Sequence, residues 1–224
     1  MRVSDLNWMQ LEAYLERDDR IVLPLGSTEQ HAYLSLETDN RLAERVAVEA
    51  AEPLGVPVLP VLAFGVAPGF AAYPGSPSIS HETYVALLGD LLRSLRNQGF
   101  RRILIVNGHG GNSFAAERVS GNGVRWHDWW NSTRVRALVD EIDNEGSHAS
   151  WMENFPWTRL EGVRLPQEHK PRVELAAGLD AGEVRRLAGD GSFGGWYERP
   201  DEEILQIWEA GVAEVRTLLE SGWR

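Results

Sequence analysis

"RRILIVNGHGGN", residues 101–112, joins two unlike kinds of sequence. Its first half is a β-branched apolar run that reads as a buried strand. Its second half sets one histidine, His109, among three glycines and between Asn107 and Asn112. An imidazole with no bulk around it has little to pack against, so a use other than packing is implied. The glycines let the chain turn sharply and let a metal or substrate approach without Cβ obstruction.

Working outward, the neighbouring segments repeat the strand-then-helix theme. "RIVLPLG" (20–26) reads as a buried strand, and 37–55 as a helix with Leu42, Val46 and Ala50 on one face. "VPVLPVLAFG" (56–65) is expected to be a second strand, with Pro60 better suited to an edge or a bulge. Residues 80–98 carry Tyr84, Leu87, Leu88, Leu91, Leu92 and Leu95 at helical spacing, with Ser80 as N-cap and Gly99 as stop. "RRILIV" is then the third strand, "TRVRALVDE" (133–141) the fourth, and 201–221 a final helix. Such alternation predicts an α/β fold with a mostly parallel sheet covered by helices, in a single domain spanning residues 1–224. In such sheets, sites form beyond the carboxyl ends of strands. "GSTEQH" after the first strand and "NGHGGN" after the third should therefore share one edge.

Composition narrows the chemistry. The chain has 224 residues, a formal net charge of −11 and no cysteine. The acidity argues against a nucleic-acid binder. The absence of cysteine removes disulfides, thiol nucleophiles and zinc-thiolate sites, so any metal must sit on His, Asp and Glu. No apolar leader precedes the first strand and no run is apolar enough to span a membrane, so no membrane partner and a cytoplasmic location are expected.

Glu29 and His31 are separated by one residue and point the same way in an extended segment. Asp39 follows at the start of the next helix. With His109 these make two carboxylates and two imidazoles, a set suited to a two-metal site in which one carboxylate bridges. His148 and Glu153 in "HASWME" would lie near one face if a helix runs there; one can ligate and the other move a proton. The bland readings stand beside these: Glu-x-His recurs by chance, and NGHGGN also suits a turn with a structural histidine. His81, His127 and His169 have no such context and are read as structural or exposed. Trp126, Trp129 and Trp130 fit either core and interface packing or an aromatic wall for a planar ligand; Trp151 and Trp157 fit either too. The glycine-rich "GDGSFGGWY" (189–197) lacks the lysine and the following helix of a phosphate loop.

With these residues in place, the chain resembles the creatininase (creatinine amidohydrolase) family. The likeness rests on "LPLGSTEQH…TD" at 23–39, "NGHGGN" at 107–112 and "HASWME" at 148–153, in the family's order, with "YPGSPSIS" (73–80) similar to its PGT-type loop. It implies a three-layer α/β/α fold, two divalent metal ions per subunit (Zn, Mn or Fe), and hydrolysis of a C–N bond in a small-molecule amide, cyclic amide or formamide. Peptide-processing members exist, and a non-catalytic regulatory homologue is a further alternative. The resemblance places Glu29, His31, Asp39 and His109 at ligand positions, with Asp39 bridging; Glu153 is expected to complete the second metal or to move a proton, and His148 to assist proton transfer. The expected substrate-facing set is Tyr73, Asn107, Gly110, Gly111, Asn112, Trp126 and Trp151. Family members commonly form symmetric hexamers, so a homo-oligomer is expected. The chain also departs from the pattern. "HAYLSLETD" lacks a second histidine, Gly111 stands where creatininase has glutamate, and Ala67 and Phe70 stand where serine and histidine are usual.

Overall fold

The computed structural model describes residues 1–223. Three strands form a parallel sheet in the order β1 (Arg20–Leu25), β2 (Arg102–Asn107), β3 (Val124–Asp128). Leu25 stands opposite Asn107, and Asn107 opposite Asp128, so all three strands end at one edge.

Helices cover both faces because the strands alternate apolar residues to both. Val22, Leu104 and Val106 face α2 (Thr38–Ala51), α5 (Thr133–Asp143) and α7 (Asp201–Ser221). Ile21, Leu23, Leu25, Ile103 and Ile105 face α1 (Trp8–Leu15) and α3 (His81–Gln98). This is a three-layer α/β/α sandwich. In α3, Tyr84, Leu88, Leu92 and Leu95 are the buried stripe, each contributing about 1.5–3 kcal/mol of apolar burial. Ser80 accepts from the Thr83 N–H and Gly99 ends the helix in the left-handed region, as the sequence suggests. A short α4 (Ala116–Val119) follows β2. The remaining elements, α6 (Ala181–Ala188) and the two-residue strands β4 (His169–Lys170) and β5 (Gly195–Trp196), lie outside this sheet.

Two expectations fail. Residues 56–65 do not form a strand: Val58 and Leu62 make isolated bridges to Val22 and Leu25 on the outer edge of β1, because Pro57 and Pro60 lack the N–H groups a continuous ladder needs. The segment 133–141 is helix α5, not a strand. Ser132 caps it by accepting from the Val135 N–H, and Val135 and Val139 are its buried residues. The third strand of the sheet is instead the mixed segment 124–128.

Candidate metal centre

The shared sheet edge brings the two glycine-ended loops together. Asp39 lies in the first turn of α2, where the positive end of the helix dipole favours a carboxylate. His31 hydrogen-bonds through Nδ1 to the Glu29 carbonyl at 3.1 Å. Its Nε2 lies 3.0 Å from Asp39 Oδ1 and 3.7 Å from Glu153 Oε2. His109 is arranged the opposite way round. Nε2 donates to the Val66 carbonyl at 3.0 Å, while Nδ1 lies 3.2 Å from Glu29 Oε1 and 3.0 Å from Asp39 Oδ2. In each ring a main-chain carbonyl fixes one N–H, leaving the other nitrogen turned toward carboxylates, the orientation that metal-ligating histidines need.

Among the described residues, Glu29, Asp39 and His109 offer ligand atoms within 4.8 Å of one another, and so do His31, Asp39 and Glu153. A further grouping, Glu29, His31 and His148, draws on the same side chains. Asp39 is common to the first two, one oxygen turned to each histidine. Glu29 Oε1 and Oε2 and Asp39 Oδ2 are buried without a hydrogen-bond donor. Buried carboxylate oxygens in that condition are costly unless a cation meets them. The residues present therefore fit a pair of divalent ions.

Electrostatics agree. Burial opposes charge on His31, but Asp39, Glu153 and Glu29 outweigh it and hold its pKa up to about 10. His109 is likewise raised, against burial, by Glu29 and Asp39. Asp39 is lowered despite its burial, held by both imidazoles. Burial raises Glu153 to about 7, with Asp39 and Glu29 adding to the shift. A cluster that attracts protons this strongly attracts cations for the same reason.

His148 and Glu153 do not share a helix face. They sit on a turn entering the 3-10 stretch Trp151–Glu153, where Ala149 takes φ 57° and donates its N–H to Glu153 Oε2 at 2.6 Å. Ala32, next to His31, also has positive φ. Among the described residues, two of the three non-glycine residues in this region of backbone space thus adjoin site histidines, as stored strain at functional sites often does. The His148 ring stacks on Phe70 at 4.8 Å, meets Phe193 at 4.9 Å and lies 4.5 Å from His31. Burial, then the charge on His31, pushes its pKa well below the ordinary value, so the ring is neutral. Gln30 accepts from the Ala32 N–H and donates to the Gly191 carbonyl, which turns its amide nitrogen to His148 Nε2 at 2.8 Å. Nε2 thus lies between that amide and the Gln30 main-chain carbonyl, 3.1 Å away, and Nδ1 is 4.0 Å from Glu29 Oε1.

These groups open into a cavity of about 570 Å³ lined in part by Glu29, Asp39, His109, Gly110, Gly111, His148 and Glu153. Asn107 and Asn112 are fully buried and organise the loop instead. Asn107 donates to the His109 carbonyl and to Asp128, and Asn112 to the Gly26 carbonyl. Tyr73, Trp126 and Trp151 do not line the cavity. Tyr73 packs edge-on against Phe70 and donates to the Gly189 carbonyl. Trp126 donates to Asp128, and Trp151, wholly buried, to Asp143. Of the tryptophan-rich segment, Trp130 reaches the cavity while Trp129 lies in the core. Sequence reasoning missed the walls: Arg136, Met152, Arg172 and Phe193 line the cavity with Phe70. Phe193 lies in the glycine-rich loop 189–197, whose composition was the one available signal. Gln30, between two ligand candidates in "TEQH", was overlooked as well.

A protein-family model described as creatininase, creatinine amidohydrolase, matches residues 4–218. The chain belongs to the creatininase family. It is 32% identical over 118 residues to a creatinine amidohydrolase of Pseudomonas putida, covering 50% of this chain and 45% of that protein. It is 36% identical over 141 residues to the mycofactocin precursor peptide peptidase of Mycolicibacterium smegmatis, covering 57% of this chain and 53% of the relative. The matched region thus spans about half the length of these curated relatives. A solved creatininase, a tryptophan-to-alanine mutant, superimposes with a TM-score of 0.83 at 21% identity over 99% of this chain and 98% of its own. The chain thus shares the creatininase fold along its length. Among the described residues, no helix is long and apolar enough to cross a membrane.

Proposed function

We propose that this protein is a metal-dependent amidohydrolase that cleaves a C–N bond in a small, non-peptide amide. The observation that carries the reading is Asp39, whose two oxygens face His31 and His109 at 3.0 Å each and so belong to both ligand groups. Glu29, Asp39 and His109 would hold one divalent ion, and His31, Asp39 and Glu153 the other. Solved creatininases include a manganese form and a Zn–Zn form, in keeping with such a donor set. Ions held there lower the pKa of bound water and polarise a carbonyl.

The chain's own residues supply the rest. Gly110 and Gly111 leave the face of His109 open to the cavity. Phe70 and Phe193 clamp His148 and exclude water from it. Neutral His148 is placed to take a proton from the attacking water and pass it to the departing nitrogen. Glu153 is tethered by the Ala149 N–H and so stays against His31.

A peptide substrate is the second reading. It is favoured by the cavity of about 570 Å³, roomy for a single small ring, and by the likeness to the mycofactocin precursor peptide peptidase. Metal-loaded protein offered formamides, cyclic amides and short peptides separates the readings by amine release. Turnover of a non-peptide amide, abolished by chelator and restored by metal, is the expected result. Peptide cleavage alone selects the second reading, and a fully loaded protein inert toward the whole panel contradicts both.

A further inference from the structure

Two arginines line the cavity together with the acidic cluster, and the hydrolase reading alone gives them no task. Arg136 projects from α5 and is already paired with Asp140 at 2.7 Å. Arg172 is different. It has no carboxylate within ion-pair distance and no side-chain hydrogen bond among the described residues. Its backbone is nonetheless firmly placed. The Val173 N–H donates to the Phe193 carbonyl at 2.9 Å. Gly194, at φ 123°, packs so closely that a Cβ there would lie 2.7 Å from the Arg172 Cα. The loop that puts Phe193 against His148 therefore also fixes the root of Arg172 at the cavity. An unpaired guanidinium rooted at the wall of a site is a receptor for a planar anion.

The charge count favours a monoanion. Arg136 is paired with Asp140 and no lysine lines the wall, so Arg172 leaves one excess positive charge there for a substrate group held away from the ions. A carboxylate matches that excess, whereas a phosphate monoester carries about −1.5 to −2 near neutral pH. Phe70, Trp130, Met152 and Phe193 supply apolar surface beside it. We propose that the substrate amide carries a carboxylate near an apolar group, as an N-acyl or N-formyl amino acid does, and that Arg172, supported by Arg136, is the specificity-determining residue that binds it. This rests on the amidohydrolase reading and names its substrate class.

The test is calorimetric titration of metal-loaded protein with an uncleavable probe, N-methylsulfonyl-L-phenylalanine, and with its methyl ester and the phosphate ester of the matching alcohol. Wild-type protein should bind the carboxylate about tenfold or more tightly than the ester, the scale of charge-assisted hydrogen bonds. That preference should collapse toward unity in Arg172→Gln and survive in part in Arg172→Lys. Arg172 is exposed and, among the described residues, makes no ion pair or side-chain hydrogen bond that folding would miss. Four outcomes overturn the proposal. These are no carboxylate preference in the wild type, a preference unchanged in Arg172→Gln, no binding of the carboxylate at millimolar concentration, and tighter binding of the phosphate. Metal content, measured on the same samples, reports separately on the underlying reading: two ions per chain without carboxylate preference refutes this inference alone.

Discussion

Gly111→Ala is the smallest change that should dismantle half of the metal centre. A Cβ at residue 111 would lie 2.1 Å from the Val66 carbonyl oxygen and 2.4 Å from His109 Nε2, the two partners of the bond that orients the His109 ring. Ordinary contact begins near 3.4 Å, so the ring or the carbonyl must move by about 1 Å or more, the sort of shift overpacking forces. No positive φ is involved, so the effect is purely steric. Overpacking costs about 1–3 kcal/mol, and the broken hydrogen bond about 1 kcal/mol. A gain of about 0.4–1 kcal/mol from the stiffer unfolded chain offsets part of this. The larger consequence is for binding, because loss of an outer partner of a ligating histidine typically weakens metal affinity about 10–100-fold. Gly110→Ala is the matched control. Its Cβ meets only Trp130, at 3.6 Å and beyond, so its effect should stay within about 0.5 kcal/mol. Equilibrium dialysis against buffered free zinc, read by elemental mass spectrometry, measures affinity; thermal unfolding in chelator measures stability separately. The reasoning fails if Gly111→Ala holds both ions at wild-type affinity, or if Gly110→Ala is equally damaged.

Three further outcomes are expected. Asp39→Asn should lose both ions rather than one, since each half of the cluster leans on a different oxygen of that carboxylate; retention of one ion at full affinity would show that Asp39 does not bridge. Metal-free and metal-loaded protein should respond oppositely to pH. His31, raised from 6.5 to about 10, and Glu153, raised from 4.5 to about 7, contribute stability when protonated, complete below the unfolded values and lost as pH climbs through the folded ones. Below pH 6.5 the depressed His148 opposes Glu153, so the metal-free melting temperature should fall between about pH 6.5 and 10 while metal affinity rises, because ions displace those protons; parallel slopes would contradict the assignment. His148→Gln should keep both ions yet lose turnover about 100-fold or more, the usual reach of a general acid–base group, and unchanged kcat would remove His148 from the chemistry.

The parts of this molecule legible in its sequence are those whose determinants are local. β1 and β2 are buried on both faces, so their apolar runs announce them. α3 and α7 carry long helical stripes, and α3 has its cap and stop in place. α5 was hidden because the segment 133–141 stops one residue short of Ile142, which completes the spacing Val135, Leu138, Val139, Ile142 and packs with the others on the core. β3 was hidden because an edge strand need not be apolar: of "VRWHD" only Val124 is buried. The candidate ligand cluster was legible because Glu29, His31, Asp39 and His109 follow strand ends that share an edge. The cavity walls were not. Phe70, Arg136, Arg172 and Phe193 come from four distant segments whose only common property is where folding takes them. The tryptophans misled for the converse reason: Trp126 and Trp151 look like a ligand wall, yet their indole N–H groups are spent on Asp128 and Asp143.

The central claim is that one buried carboxylate organises two divalent ions in this chain. Native mass spectrometry of protein purified anaerobically without added metal counts them directly. The account predicts two ions per chain as the dominant species. A dominant metal-free chain that takes up no ion when zinc, manganese or iron(II) is supplied would contradict it.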